Sequence, residues 1–232
     1  IAERFAEHGA EVGVTGRNAE QASEVADSLT EAYGQPVSGH ALDVADRALV
    51  REVVEEFESR RGGLDALVYN AGISPSFTSA EKVDDETWDA IIATNLTGGF
   101  VAAQAFARRL IDGDRPGSVV FIGSVDSVVG DPRLVAYTAS KSGMAGMART
   151  MAVDWARYGI RVNTVAPGYV ATDLTAGLQQ NEKLRQAITD RTPMKRLAEP
   201  KEISDVVVFL ASDSSTFITG AVYPVDGGWT AW

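Results

Sequence analysis

A serine, a tyrosine and a lysine stand in one stretch, SVDSVVGDPRLVAYTASK (124–141), at a spacing that could move a proton. Tyr137 and Lys141 are four residues apart, which on a helix puts both side chains on one face. An unperturbed phenol, with a pKa of about 10, is a poor acid or base at neutral pH. A neighbouring ammonium favours the phenolate and draws that pKa towards the useful range. Ser124 follows the apolar run Val119 to Ile122, which reads as a buried strand, so its hydroxyl can reach a substrate oxygen that Tyr137 also touches. The plainer reading is a core tyrosine beside a solvated lysine, and a Tyr-x-x-x-Lys pair taken alone does not decide between the two.

The elements that must position these residues follow from periodicity and breakers. Helices are expected over 1–8, 19–33, 46–60, the long stretch 84–112, 134–158 and 201–211. Strands are expected over 11–15, 37–44, 64–69, 118–122, 160–165 and 222–225. Asp46 suits a helix N-cap, Pro200 a helix start, and Gly34-Gln35-Pro36 and Gly62-Gly63 suit helix stops. The segment 73–83, with Pro75, reads as a loop, and 169–196 as loop plus helix. Strand and helix alternate with short connections, which predicts a doubly wound, Rossmann-like parallel sheet with helices on both faces. Without repeats or linkers, residues 1–232 read as one domain.

Ligands of such sheets bind at the carboxyl ends of the strands. Arg17 follows the first strand, Asp43 lies near the end of the second, and Asn70-Ala71-Gly72 follow the third. Ser124 follows the fourth and Pro167-Gly168 the fifth, while Asn95, Tyr137 and Lys141 sit on helices entering the same region. Several polar groups gathered at one end are harder to explain structurally than any one of them.

Composition narrows the function classes. A net charge of −11 argues against a nucleic-acid partner, which needs a basic footprint, and against an anionic membrane surface. No apolar stretch approaches a membrane span in length. The absence of cysteine excludes disulfides and thiolate chemistry and permits a reducing compartment, so a cytoplasmic location is expected. His8 and His40, the only two histidines, read as structural, and no metal constellation includes them. Asp84-Asp85-Glu86 reads as a helix N-terminus favoured by the dipole rather than a metal site.

Taken together, these residues resemble the short-chain dehydrogenase/reductase family over the whole chain. Ser124 and Tyr137 are thirteen positions apart, as in the family, and Lys141 completes the set. Asn95, in Thr94-Asn95-Leu96-Thr97-Gly98, matches the family's fourth catalytic residue. The resemblance implies cofactor contacts at Asp43-Val44, at the turn Asn70-Ala71-Gly72, at Tyr137 and Lys141, and at Pro167, Gly168, Val170 and Thr172. It also implies a strand and a glycine-rich turn ahead of the first helix. The sequence begins at Ile1 inside that helix and looks as if it starts about twenty residues late. The implied chemistry is hydride transfer between a nicotinamide and a carbonyl or alcohol carbon. Tyr137 exchanges the proton, Lys141 lowers its pKa and holds the ribose, Ser124 binds the substrate oxygen, and Asn95 positions a relay water.

Cofactor choice is read from charge. A carboxylate at the end of the first visible strand would suit the ribose of NAD, whereas an arginine suits the 2′-phosphate of NADP. Gly16 stands where the acid would be, and Arg17-Asn18 follow, so NADP is expected, with NAD as the alternative. The substrate is expected to be a small ketone, polyol or sugar-type compound under a cover formed by 172–196. The alternative is a 3-oxoacyl carrier-protein reductase, for which Arg115 matches one docking position while Tyr158 occupies the other. A non-catalytic nucleotide-binding scaffold is the alternative of another class. By resemblance the chain forms a homotetramer or homodimer through the helices that carry Asn95 and Tyr137, with Trp229 and Trp232 suited to an interface.

Overall fold

The computed structural model describes residues 1–60, 62–74, 77–172 and 175–231; Pro75 and Trp232 lie outside them. Among the described residues are β1 (Val12–Gly16), β2 (Val37–Ala41), β3 (Ala66–Tyr69), β4 (Gly117–Ile122), β5 (Ile160–Pro167) and β6 (Val222–Val225). The helices are α1 (Ala2–Glu7), α2 (Ala19–Tyr33), α3 (Arg47–Glu58), α4 (Asp85–Ile92), α5 (Gly98–Asp112), α6 (Val135–Trp155), α7 (Ala176–Gln180), α8 (Glu182–Arg191) and α9 (Pro200–Ala211). Local chemistry explains their limits. Asp46 accepts from the N–H groups of Ala48 and Leu49 at the start of α3, and Pro200 occupies the first turn of α9. Gly34 closes α2 in the left-handed conformation, with φ of 70°.

Every strand pair is parallel. The expected doubly wound parallel arrangement is present, its strands forming two ladders, β1-β2 and β3-β4-β5-β6, that share no ladder hydrogen bonds among the described residues. Helix α1 packs against β1, α2 and α9.

The central strands of the larger ladder, β4 and β5, are buried on both faces, as parallel strands require, while β3 and β6 are mostly half-buried. Strand β4 alternates: Val119 and Phe121 join Phe106, Leu110 and Met144 of α5 and α6, while Val120 and Ile122 join Ile203, Val207 and Leu210 of α9. The expected helix 84–112 is continuous but changes hydrogen-bond pattern, with a π-helical segment over Ala93–Thr97 joining α4 to α5. At 28 residues it is long and apolar enough to cross a membrane, which amends the expectation that no stretch is. Its apolar face is accounted for by the core, where Val101, Ala103, Phe106 and Leu110 are buried.

Strand β2 ends earlier than expected, at Ala41, so Asp43 and Val44 belong to the turn beyond it. Strand β5 runs further than expected and takes in Pro167.

Candidate active site

Strand β4 delivers Ser124 two residues beyond its last ladder position, in extended backbone with φ of −165°. Its Oγ caps the short 3-10 turn Val125–Ser127 by accepting the N–H of Asp126 at 3.2 Å. Helix α6 then brings Tyr137 and Lys141 back over the end of β4. Lys141 is 3% exposed, and its Nζ donates to the carbonyl of Ile122 at 2.7 Å, which ties the helix to the strand that carries Ser124. The Lys141 Nζ lies 5.6 Å from the centre of the Tyr137 ring. The plainer reading of a solvated lysine is thereby overturned.

The electrostatics differ from the expected pattern. Burial pushes the Tyr137 phenol up to about 12, with a bond to Ser124 pulling down and the charge of Asp126 pushing up. Burial pushes Lys141 down to about 8, and Asp126 pulls it back up. The net shift of Tyr137 is upward, set by desolvation of the phenolate, and Lys141 is not among the groups that move it.

Asn95 lies in the π-helical segment, where the ladder is irregular, and is 0% exposed. Its Oδ1 accepts from the Ile73 N–H at 2.8 Å, and its Nδ2 donates to the Ile73 carbonyl at 3.0 Å and to Ser140 Oγ at 3.1 Å. The side chain thus clamps the turn after β3 onto α6. A Cβ on Gly72 would stand 3.4 Å from Lys141 Nζ and 3.6 Å from Asn95 Oδ1, so the turn meets both residues. Asn70 and Gly72 are exposed and Ala71 is half-buried.

The remaining expected residues sit at neighbouring strand ends. Arg17 directly follows β1, is exposed, and forms no side-chain hydrogen bond or ion pair among the described residues. Asn18 is the N-cap of α2, accepting from the Gln21 N–H at 3.2 Å. Asp43 holds the Ala45 N–H at 2.9 Å through Oδ1, and Val44 packs against the core. Gly168 follows β5 so close to Asp226 that a Cβ would stand 2.8 Å from its Cα. Val170 bridges Ala198, and the Thr172 N–H donates to Thr175 Oγ1. The structure therefore brings Asn95, Ser124, Tyr137, Lys141 and Gly72 together and spreads the other expected contacts along the same carboxyl edge.

The sequence reading passed over two groups. Asp126, two residues after Ser124, is buried and accepts the Ser124 hydroxyl at 2.9 Å. An aspartate in an apolar run beside a candidate serine was the available signal. Asp131 accepts from Tyr169 Oη at 3.1 Å and faces Arg191 of α8, which lies 3.9 Å over the ring of Trp229. Trp229 is 4% exposed and packs edge-on to Tyr169, so it belongs to this internal cluster and not to an exposed interface. His40 stacks edge-on against Phe57 and faces Glu56, consistent with a structural role.

The geometry can be set beside known proteins. Residues 1–230 match a family model described as enoyl-(acyl carrier protein) reductase. The chain is 42% identical over 205 residues to a 3-oxoacyl-(acyl-carrier-protein) reductase of Thermotoga maritima, covering 87% of this chain and 82% of that protein. It is 38% identical over 230 residues to gluconate 5-dehydrogenase of Gluconobacter oxydans, covering 99% and 89% respectively. The crystal structure of a gluconate 5-dehydrogenase from Burkholderia cenocepacia, in complex with NADP and tartrate, superposes with a TM-score of 0.95 at 36% identity, covering 100% of this chain and 89% of that one. The chain accordingly belongs to the short-chain dehydrogenase/reductase family, oxidoreductases that interconvert carbonyl and alcohol groups.

Proposed function

We propose that the chain is an NADP-dependent oxidoreductase acting on a small ketone, polyol or sugar-type substrate, with Tyr137 as general acid and base. The observation that carries this reading is the convergence of Ser124, Tyr137, Lys141 and Asn95 at the end of β4, held by hydrogen bonds to Ile122, Ile73 and Ser140. A scaffold has no need of a desolvated lysine tied to a strand end beside a phenol.

The residues present fit the cofactor. Arg17 is an exposed guanidinium just after β1, without a partner among the described residues and with no acid before it, which suits a 2′-phosphate. Asp43, Val44 and the Asn70-Ala71-Gly72 turn would hold the adenosine side, Asn18 would flank the 2′-phosphate beside Arg17, and Pro167, Gly168, Val170 and Thr172 would hold the nicotinamide side. When bound, NADPH supplies the hydride. Tyr137 gives its proton to the substrate oxygen in reduction and takes it in oxidation. Lys141 has three N–H donors and spends one on Ile122, leaving two for a ribose hydroxyl and a water. Both Nδ2 protons of Asn95 are used on Ile73 and Ser140 and its Oδ1 accepts from the Ile73 N–H, which leaves one Oδ1 lone pair and the backbone carbonyl to hold a relay water.

The carrier-protein alternative draws support from the Thermotoga relative but not from Arg115, which pairs with Glu58 and donates to the Gly62 carbonyl at 2.7 Å. That arginine is committed to the fold, and a net charge of −11 opposes an acidic partner. The polar cluster of Asp131, Tyr169 and Arg191 favours a hydroxylated substrate. We further assign residues 1–232 to one cytoplasmic dinucleotide-binding domain that assembles as a homotetramer or homodimer. A groove of about 500 Å³ between α5 and α6, lined by Phe100, Met147 and Trp155 among others, supports pairing through those helices.

Fluorescence titration with NADPH and NADH, followed by turnover of gluconate, 2-butanol and a 3-oxoacyl thioester, tests the reading. NADPH preference with gluconate or butanol oxidation supports it, thioester reduction alone transfers it to the alternative, and absence of both binding and turnover overturns it. Light scattering on the same sample reads the assembly.

A further inference from the structure

Arg191 closes α8, within the segment expected to cover the substrate, and its side chain is half-exposed. Its Cζ lies 3.9 Å from the centre of the Trp229 ring, and the anion it faces is Asp131, whose Oδ1 is 3.8 Å from Nη1. That separation is too long for a hydrogen bond. Arg191 therefore presents a planar fork of five N–H donors, none of them bonded among the described residues. Resting on an aromatic face fixes such a fork without using its donors. The ring beneath adds a further donor. Trp229 Nε1 is buried and has no hydrogen-bond partner among the described residues, although buried N–H groups ordinarily have one. Asp131 meanwhile accepts from Tyr169 Oη at 3.1 Å. The cluster thus holds more donors than acceptors. Nε1 is closed off from solvent, so the half-exposed Arg191 is the donor that a ligand reaches first.

This cluster adjoins the candidate catalytic groups. Asp131 lies in the loop that runs on from Ser124, and Tyr169 follows Gly168 beyond β5, the strand paired with β4. Asp126, which takes the Ser124 hydroxyl bond, feels the charge of Asp131, and Tyr169 feels the charges of Asp131, Asp126 and Arg191. A substrate held by its reacting oxygen at Ser124 and Tyr137 would have these groups as neighbours. The acceptor that matches a planar fork of donors is a carboxylate, whose two oxygens take parallel N–H bonds. We propose that Arg191, carried on the Trp229 ring, is a specificity-determining residue that binds a carboxylate of the substrate. The protein then takes hydroxy acids and oxo acids in preference to neutral polyols and ketones of the same length. The proposal rests on the dehydrogenase reading above and narrows its substrate class.

Probes paired by carbon skeleton and chirality test this: gluconate against sorbitol, and 3-hydroxybutyrate against 1,3-butanediol. In each pair a carboxylate stands where its partner has a CH2OH group. With NADP, the wild type is expected to favour the acid of at least one pair by about tenfold in kcat/KM. Arg191→Gln is expected to raise the KM of that acid about tenfold, while its kcat and the KM of the neutral partner change by less than about twofold. Arg191→Lys should restore part of the loss, since it keeps the charge without the fork. Asp131→Asn removes a competing anion from Arg191 and leaves Tyr169 an acceptor, so the KM of the acid is expected to fall; a rise would place the carboxylate elsewhere. Preference for the neutral member of both pairs overturns the proposal. So does an equal rise of both KM values in Arg191→Gln, which is what a merely structural arginine would give. A second readout needs no turnover: saturation-transfer NMR of the same four compounds. Acid binding that exceeds that of the neutral partner and is lost in Arg191→Gln supports the contact. It does so even if NADPH binding and turnover are both absent, the result that sinks the dehydrogenase reading. Binding of neither acid, or acid binding unchanged in Arg191→Gln, overturns the contact itself.

Discussion

The carboxyl ends of β1 and β4 lie on the same edge of the fold and are built oppositely. At β4, Ser124, Asp126 and Lys141 are buried, and each is held by a named partner. At β1, Arg17 and Asn18 are exposed, and Arg17 is held by nothing among the described residues. The contrast matches two tasks. Moving a proton needs groups whose charge states are controlled by desolvation and fixed neighbours. Recognising a phosphate needs a charge that water and ligand can reach, because a buried unpaired guanidinium would be too costly.

The comparison breaks first at Tyr137. Tyr137→Phe is expected to lower kcat by about a thousandfold or more while changing the NADPH Kd by less than about twofold, since only the proton is lost. Steady-state kinetics alongside a fluorescence titration check both halves; near-native turnover would remove Tyr137 from the mechanism.

Lys141 offers the next largest effect. Its folded pKa of about 8 lies below its ordinary value of 10.5, so its contribution to stability is full above the ordinary value and is lost as pH falls through the folded one. The stability of the wild type relative to Lys141→Met is expected to fall by roughly 3 kcal/mol from pH 10.5 to below pH 8. Denaturant unfolding across that range measures it, and a difference independent of pH would show that Lys141 is not desolvated.

At the exposed end the effects should be smaller and confined to recognition. Arg17→Ala is expected to weaken NADPH about tenfold and to leave NADH within about twofold, since only the 2′-phosphate contact is removed. Equal losses for both cofactors would mean that Arg17 serves something other than the phosphate. Asn18→Ala should cost about 1 kcal/mol of stability through the lost N-cap of α2 and weaken NADPH by less than Arg17→Ala does. An unchanged NADPH Kd would leave Asn18 with the capping role alone.

Particular residues show what could be read early. The Ser124, Tyr137 and Lys141 spacing and the strand ends around it were legible because period and breakers are local properties. So were Asp46 as a cap and Pro200 at a helix start. The place of Trp229 was less so, because whether an aromatic at that position is core or interface depends on which distant groups, here Arg191 and Tyr169, pack against it.

By itself the sequence determined the alternation of strands and helices, the residues able to exchange a proton, and the missing acid beside Arg17. These depend on side-chain type and on separations of a few positions. Only the tertiary structure decided that desolvation, not Lys141, dominates the Tyr137 phenol, that the Asn95 side chain bonds to Ile73 and Ser140, and that Ser124 bonds to Asp126. Those outcomes turn on burial and on which of several available partners a hydrogen bond chooses, and both are set by the packing of distant segments.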